Sequence, residues 1–100
     1  MATAPAFVVF LKEGVDDEAE MEQYKAKVGA SFAGREVVLH AAYGEQEVLE
    51  GAAVEGVVIL QFPSVEAARD WYHSPQYQEA ARHRFRGARY RAVLVEGRVP

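Results

Sequence analysis

Hydrophobic residues in this chain fall into two patterns, continuous apolar runs and stripes at helical spacing. The runs are rich in β-branched and aromatic residues, which is typical of strands. Pro63 ends one run, because proline cannot donate a hydrogen bond to a neighbouring strand. A short polar–apolar alternation after Gly44 predicts one further, small strand. The predicted strands cover residues 6–12, 35–43, 45–51, 56–62 and 90–97.

An acidic start followed by a periodic apolar stripe predicts the first helix. Asp17 can cap this helix, and Glu20, three residues later, completes the pattern of a capping box. Gly34 is expected to end the helix. The stripe has spacings of 3, 4 and 4 residues and consists of Met21, Tyr24, Val28 and Phe32.

The second helical segment is interrupted in its middle by Ser74 and Pro75. Ser74 is a good N-cap, and proline is tolerated at the first helical position, where its missing N–H would have no partner. We therefore expect one helix, capped by Ser64, to stop near His73 and a second helix to begin at the break. The two predicted buried faces consist of Val65, Ala68 and Tyr72, and of Tyr77, Ala81 and Phe85.

The order of these elements predicts an α+β fold of the ferredoxin-like, split-βαβ type, with a mainly antiparallel sheet and two helices on one face. The central strands are apolar at both parities, so both faces of the sheet are predicted to be buried. Two helices cover only one face. A second copy of the chain is the simplest cover for the other face, which predicts a homodimer of the dimeric α/β-barrel type.

Length and composition narrow the picture further. A chain of 100 residues suits one domain spanning residues 1–100, and so short a chain often gains stability by oligomerisation. The absence of cysteine fits a reducing compartment, and we expect a cytoplasmic protein. The apolar run near the N-terminus is too short for a signal peptide or a membrane span. The net charge of −4 argues against nucleic acid as a partner.

Several stretches of the sequence resemble one protein family. They are EVLEG at 47–51, VVILQFPSVEAARDWYHSPQYQ at 57–78, the following Arg84, and VLVEG at 93–97. Together they are similar to domain-of-unknown-function family number 1330, small bacterial proteins of the dimeric α/β-barrel group. The resemblance implies the same ferredoxin-like fold and no established activity. This sequence departs from the family at AGRE after the first helix and at HAAYGEQ, where members often have Arg-Gly-Gly, so a pocket built by that loop would differ here.

The histidines and aromatic residues supply candidate chemistry. No two of His40, His73 and His83 have a metal-ligand spacing, so neither a metal site nor a cofactor is predicted. His40 shares strand parity with Val38 and Ala42, which favours a core or interface residue, although an imidazole can also act as a base near neutral pH. The candidate ligand-binding residues are His40, Trp71, Tyr72, His73, Tyr77 and Arg84.

The aromatic candidates have a structural interpretation as well as a functional one. Trp71, Tyr72, His73 and Tyr77 could line a pocket for a planar apolar ligand, but aromatic residues at helical spacing are more often core. Consecutive helix residues point about 100° apart, so only some of the four can face the sheet.

Two clusters of opposite charge are predicted to complement each other. In a split-βαβ fold the two helices run antiparallel, so the acidic start of the first helix, residues 16–22, meets the basic end of the second, residues 82–91. This arrangement is favoured over an anion site built from the arginines. Arg84 is the candidate exception, because it matches the family's motif.

Two classes of function remain open. One is a homodimeric module that binds a small apolar or anionic molecule, or a partner, without chemistry of its own. The other is a cofactor-independent enzyme, similar to monooxygenases or isomerases of related fold. In that class His40 or His73 would be the base, and a tyrosine or Arg84 would hold an anionic substrate. The sequence shows no nucleophile, paired carboxylates or metal-ligand cluster, which favours the binding module.

Overall fold

The computed structural model describes residues 3–99, which form one antiparallel sheet with helices on one side. The strand order is β2-β3-β1-β4, and each neighbouring pair is antiparallel. This is the predicted split-βαβ arrangement. In chain order the elements are β1 (Ala6–Val15), α1 (Glu18–Val28), a 3-10 helix (Gly29–Phe32), β2 (Val38–Ala42), β3 (Gly56–Phe62), α2 (Val65–Tyr72), α3 (Pro75–Gly87) and β4 (Ala88–Glu96).

The predicted N-caps are confirmed. The side chain of Asp17 accepts hydrogen bonds from the amides of Ala19 and Glu20, and the hydroxyl of Ser64 accepts one from Ala67. Ser74 caps α3, with Pro75 at its first position. The capping box itself is only half formed. The backbone N–H of Asp17 donates to the carbonyl of Gly87 and not to the Glu20 side chain. The Glu20 side chain contacts His83.

The structure differs from the sequence prediction at residues 45–51, at the end of the first helix and at Phe85. Residues 45–51 form no strand, because no neighbouring strand lies beside them, and Leu49 is 84% exposed. The first helix ends at Val28 and continues to Phe32 only as a 3-10 turn, before Gly34 adopts a positive φ of 74°. Phe85 is 55% exposed rather than buried.

Helix geometry explains the exposure of Phe85. At about 100° per residue, eight steps from Tyr77 leave Phe85 about 80° away from the buried direction, whereas seven steps bring Arg84 to within about 20° of it. Arg84 therefore occupies the inward position and is buried.

The sheet has one covered face and one uncovered face. The covered face packs against the helices through side chains that include Val8, Phe10, Leu60 and Phe62. The alternate residues of the same strands point to the opposite side, since side chains alternate along a strand. We call that side the open face; its apolar residues include Phe7, Val9, Leu11, Val57, Ile59, Val93 and Val95.

Candidate functional site

An apolar pocket of about 370 Å³ lies between the covered face of the sheet and the end of α1. Helix α1 and the 3-10 turn form one wall, and β2 and β3 form the other. Most of the lining is aliphatic or aromatic, with an arginine and two tyrosines as the polar groups. The lining residues are Phe10, Tyr24, Val28, Phe32, Arg35, Val37, Leu39, Ala42, Tyr43, Val58, Leu60 and Trp71. We refer to this cavity as the apolar pocket.

Trp71 is the fixed inner wall of the apolar pocket. It is the single tryptophan of the chain, and its side chain is fully buried. The indole Nε1–H donates to the hydroxyl of Ser31 at 3.0 Å, and the ring stacks on Phe32 with centroids 5.3 Å apart. The ring centroid of Tyr77 lies 4.1 Å from that of Trp71. A hydrogen bond and two ring contacts therefore hold this side chain in one orientation.

A buried network of tyrosines and one arginine lies beside the pocket. The hydroxyls of Tyr24 and Tyr77 are 3.1 Å apart, and Nη2 of Arg84 donates to the Tyr77 hydroxyl at 3.2 Å. Burial is the main cause that raises the pKa of Tyr24 and of Tyr77. Both phenols are therefore neutral at physiological pH, and neither neutralises the charge of the guanidinium.

Aromatic rings surround the Arg84 guanidinium. Its central carbon lies 5.1 Å from the ring centres of both Phe10 and Tyr90, and 5.0 Å from that of Phe85. Tyr24 is the fourth ring, at 5.7 Å. Within residues 3–99, the buried Nε atom has no hydrogen-bond partner, and no carboxylate oxygen lies within 4.0 Å of the guanidinium nitrogens.

Arg84 also lines a second cavity, which we call the β4 cleft. It has a volume of about 520 Å³ and lies between the end of α3 and the start of β4. Its lining residues are Glu13, Tyr72, Arg84, Phe85, Ala88, Arg89, Tyr90 and Ala92. A smaller hollow of about 300 Å³ shares Tyr72 and Ala92 with the cleft and also includes His73. The hydroxyls of Tyr90 in the cleft and Tyr43 in the apolar pocket are 2.6 Å apart, so the two cavities are neighbours.

The three histidines lie in different parts of the molecule. His40 is exposed on the open face, where its Nε2 is 2.6 Å from the side-chain oxygen of Gln61. His73 is exposed at the end of α2. His83 is buried between α3 and α1, with Nδ1 2.7 Å from a carboxylate oxygen of Glu20. No group of three potential metal ligands occurs in the part of the chain that the structure describes.

A bulge corrects the predicted strand parity around His40. The β2–β3 register shifts between Leu39 and Ala41, so Ala42 pairs with Val58 and lines the apolar pocket. His40 instead contacts Gln61 and Phe7 on the open face. One extra residue in the strand therefore separates two side chains that strict alternation would place together.

The predicted meeting of the two charge clusters occurs. The Glu20–His83 contact and the bond from Asp17 N–H to the Gly87 carbonyl bring the start of α1 to the end of α3. An ion pair joins the two clusters, from Arg89 in β4 to Asp16. Arg91 contacts Glu13, which lies in β1 before the acidic segment. Arg82 instead bonds Glu79 within its own helix.

The candidate residues from the sequence do not form one site. Trp71 lines the apolar pocket, Arg84 and Tyr72 line the β4 cleft, and Tyr77 bonds to Arg84. The sequence reasoning missed Tyr24, Tyr43 and Tyr90 as site residues. Tyr24 had a signal only as part of a core stripe, and the other two lie at strand ends without any periodic signal.

The fold and cavities define a class of small α+β proteins with a split-βαβ sheet and a pocket between sheet and helices. Within residues 3–99, no helix has the length and apolar character needed to span a membrane. The chain belongs to the family described as Domain of unknown function (DUF1330), whose profile matches residues 5–98. A comparison with curated proteins gives no match.

Solved structures confirm the ferredoxin-like fold. The methylated RPA0582 protein, from Rhodopseudomonas palustris, is 18% identical with a TM-score of 0.75, over 98% of this chain and 84% of that one. A dimeric protein of unknown function with a ferredoxin-like fold, from Bacteroides fragilis, is 14% identical with a TM-score of 0.61, over 92% and 95% of the two chains. SnoaB, a cofactor-independent oxygenase from Streptomyces nogalater, is 17% identical with a TM-score of 0.56, over 99% and 97%. At these identities the likeness shows the fold alone.

Proposed function

We propose that this protein is a homodimeric module that binds a small, mostly apolar molecule in the apolar pocket. The observation that carries the proposal is the pocket itself, about 370 Å³ in volume and lined mainly by aliphatic and aromatic side chains. Small-molecule sites are concave, mostly apolar and equipped with a few placed polar groups. Here Tyr24, Tyr43 and Arg35 are those polar groups, and they would orient a ligand.

The chemistry of the pocket wall supports binding without catalysis. In the described part of the chain, no histidine, aspartate or glutamate lines this pocket. Burial raises the pKa of Tyr24, so its phenol stays protonated and is not a base at neutral pH. His40 and His73, the bases of the enzymatic alternative, line no part of this pocket. These positions favour the binding module over a cofactor-independent enzyme that uses a histidine base.

We propose a second copy of the chain as the partner that covers the open face. Val93 is 55% exposed and Val95 50% exposed on that face in the single protomer. Burying an aliphatic side chain is worth roughly 1.5–3 kcal/mol, so covering a row of them favours association. The Bacteroides fragilis structure of the same fold is described as dimeric, which supports the proposal. We also place the protein in the cytoplasm, which a chain without cysteine suits.

The binding proposal is tested with 1-octanol as the probe and Trp71 as the reporter. Because Trp71 is the single tryptophan and lines the pocket, a bound apolar chain should change its fluorescence saturably. The change should occur at the same alcohol concentration that shifts the NMR signal of the indole Nε1–H.

Two matched substitutions locate the site. Ala42→Phe places a ring in the pocket wall and should weaken octanol binding at least tenfold. Ala26→Phe makes the same change at an exposed position of α1 outside the pocket and should leave binding unchanged. Equal affinities for Ala42→Phe and the unchanged protein, or a Trp71 signal that never saturates, would contradict the proposal.

A further inference from the structure

The β4 cleft contains a buried positive charge that its surroundings leave uncompensated. Arg84 is 4% exposed, yet it lines the cleft. Its Nη2 donates to the neutral hydroxyl of Tyr77, and its buried Nε–H has no acceptor within the described chain. A guanidinium remains protonated at all physiological pH values, so it cannot escape burial by losing its charge.

The other charged residues of the cleft are already paired. Arg89 contacts Asp16, and Glu13 contacts Arg91. Arg84 therefore differs from its neighbours in having aromatic rings and a phenol as its surroundings. The rings attract a cation through their faces, but this interaction is weaker than an ion pair in the same desolvated position. The site therefore lacks an anionic hydrogen-bond acceptor for the Arg84 guanidinium.

We propose that the β4 cleft binds a small monocarboxylate with a flat apolar body, and that its carboxylate bonds to the Arg84 guanidinium. The planar guanidinium matches a carboxylate, which can accept two parallel N–H bonds. Tyr72, Tyr90 and Ala92 provide apolar walls for the body of the ligand. One uncompensated positive charge fits a single carboxylate better than a doubly charged phosphate. This site is separate from the apolar pocket and does not depend on its function.

The test uses benzoate as the probe and benzamide as its neutral counterpart of the same shape. The NMR signal of the Arg84 Nε–H reports on the β4 cleft, and the signal of the Trp71 indole Nε1–H reports on the apolar pocket. We expect benzoate to shift the Arg84 signal saturably and to leave the Trp71 signal in place. Benzamide should bind at least tenfold more weakly. Equal affinity for the two probes, or an unmoved Arg84 signal at saturating benzoate, would overturn the inference.

Substitutions provide a second test. Arg84→Lys keeps the charge but removes the planar pair of donors, and we expect it to weaken benzoate binding at least tenfold. Arg86→Lys is the matched control, since Arg86 is exposed on the same helix and outside the cleft. If Arg84→Lys does not fold, Ala92→Phe fills the cleft from β4 and should also abolish binding. Loss of benzoate binding through Ala42→Phe instead of Ala92→Phe would place the anion in the apolar pocket and refute the assignment.

Discussion

The Ser74 hydroxyl donates a hydrogen bond to the backbone carbonyl of Trp71 at 2.7 Å. The same oxygen accepts a bond from the N–H of Tyr77 at 3.2 Å. One side chain therefore ends α2 and begins α3. The break positions the rings of Trp71 and Tyr77 against each other, and Trp71 is the inner wall of the apolar pocket. Ser74 therefore both separates α2 from α3 and positions Trp71 at the wall of the apolar pocket.

Replacing Ser74 with alanine should destabilise the protein by about 1–2 kcal/mol. The substitution removes the cap of α3, and caps in well-ordered positions are worth about this much. Ser64→Ala is the matched control, because Ser64 caps α2 through a bond of 3.0 Å and is less buried. Unfolding in urea measures both changes. If Ser74→Ala lowers the free energy of unfolding no more than Ser64→Ala does, the bond from Ser74 to the Trp71 carbonyl contributes nothing to stability.

A charge on the open face should separate the proposed dimer without unfolding the protomer. Ile59 points to the open face, whereas its neighbour Leu60 is 3% exposed in the core. We expect Ile59→Asp to give a folded monomer in sedimentation at micromolar concentration. Leu60→Asp should instead abolish the folded circular dichroism spectrum, since it buries an unpaired carboxylate.

The unchanged protein provides the decisive comparison for the dimer. It should sediment as a dimer under the conditions in which Ile59→Asp is a monomer. A folded monomer of the unchanged protein at these concentrations would mean that the open face has another cover, and the homodimer would be wrong.

Two glycines should respond oppositely to alanine. A Cβ atom at Gly87 would lie 2.9 Å from the Cβ of Glu20 and 3.0 Å from the Asp17 carbonyl oxygen. Gly87→Ala should therefore push α3 away from α1 and cost about 1–3 kcal/mol. At Gly29 no atom of the described residues lies within 4 Å of the new atom, and the backbone is helical. Gly29→Ala should therefore stabilise the protein by about 0.4–1 kcal/mol. Thermal unfolding measures both changes. Equal shifts of the melting temperature for the two variants would contradict the close approach of α1 to α3 at Gly87.

Glu79 makes a pH-dependent contribution to stability. Hydrogen bonds from Arg82 and Lys27 lower the pKa of Glu79 from 4.5 to about 2. Because the folded-state pKa is the lower one, the contribution is complete above pH 4.5 and is lost as the pH falls towards 2. The stability difference between the unchanged protein and Glu79→Gln should therefore narrow over this interval.

The control for Glu79 is Glu47→Gln, in the exposed segment between β2 and β3. Its difference from the unchanged protein should stay constant over the same pH range. If the free energy of unfolding of Glu79→Gln depends on pH in parallel with that of the unchanged protein, Arg82 and Lys27 do not act on this carboxylate in solution.

Local signals in the sequence determined the elements of this fold. Asp17, Ser64 and Ser74 begin helices because a side-chain oxygen can bond an amide two or three residues later, which needs no distant partner. The apolar runs predicted β1, β3 and β4 from their residue types, and each of these strands has a neighbour in the sheet. The predicted strand over 45–51 failed because a strand also requires a neighbour, and the sheet provides none there.

Tertiary structure alone decided where the candidate residues meet. The sequence prediction put Phe85 on the buried face with Tyr77, whereas Arg84 occupies that inward position in the structure. The sequence does not show that Phe10 from β1 and Tyr90 from β4 would lie against the Arg84 guanidinium. Nor does it show that a bulge in β2 would direct His40 and Ala42 to opposite faces of the sheet. The physical reason is that caps and stripes depend on neighbours along the chain, whereas cavities depend on the register between strands and on how closely α1 approaches α3.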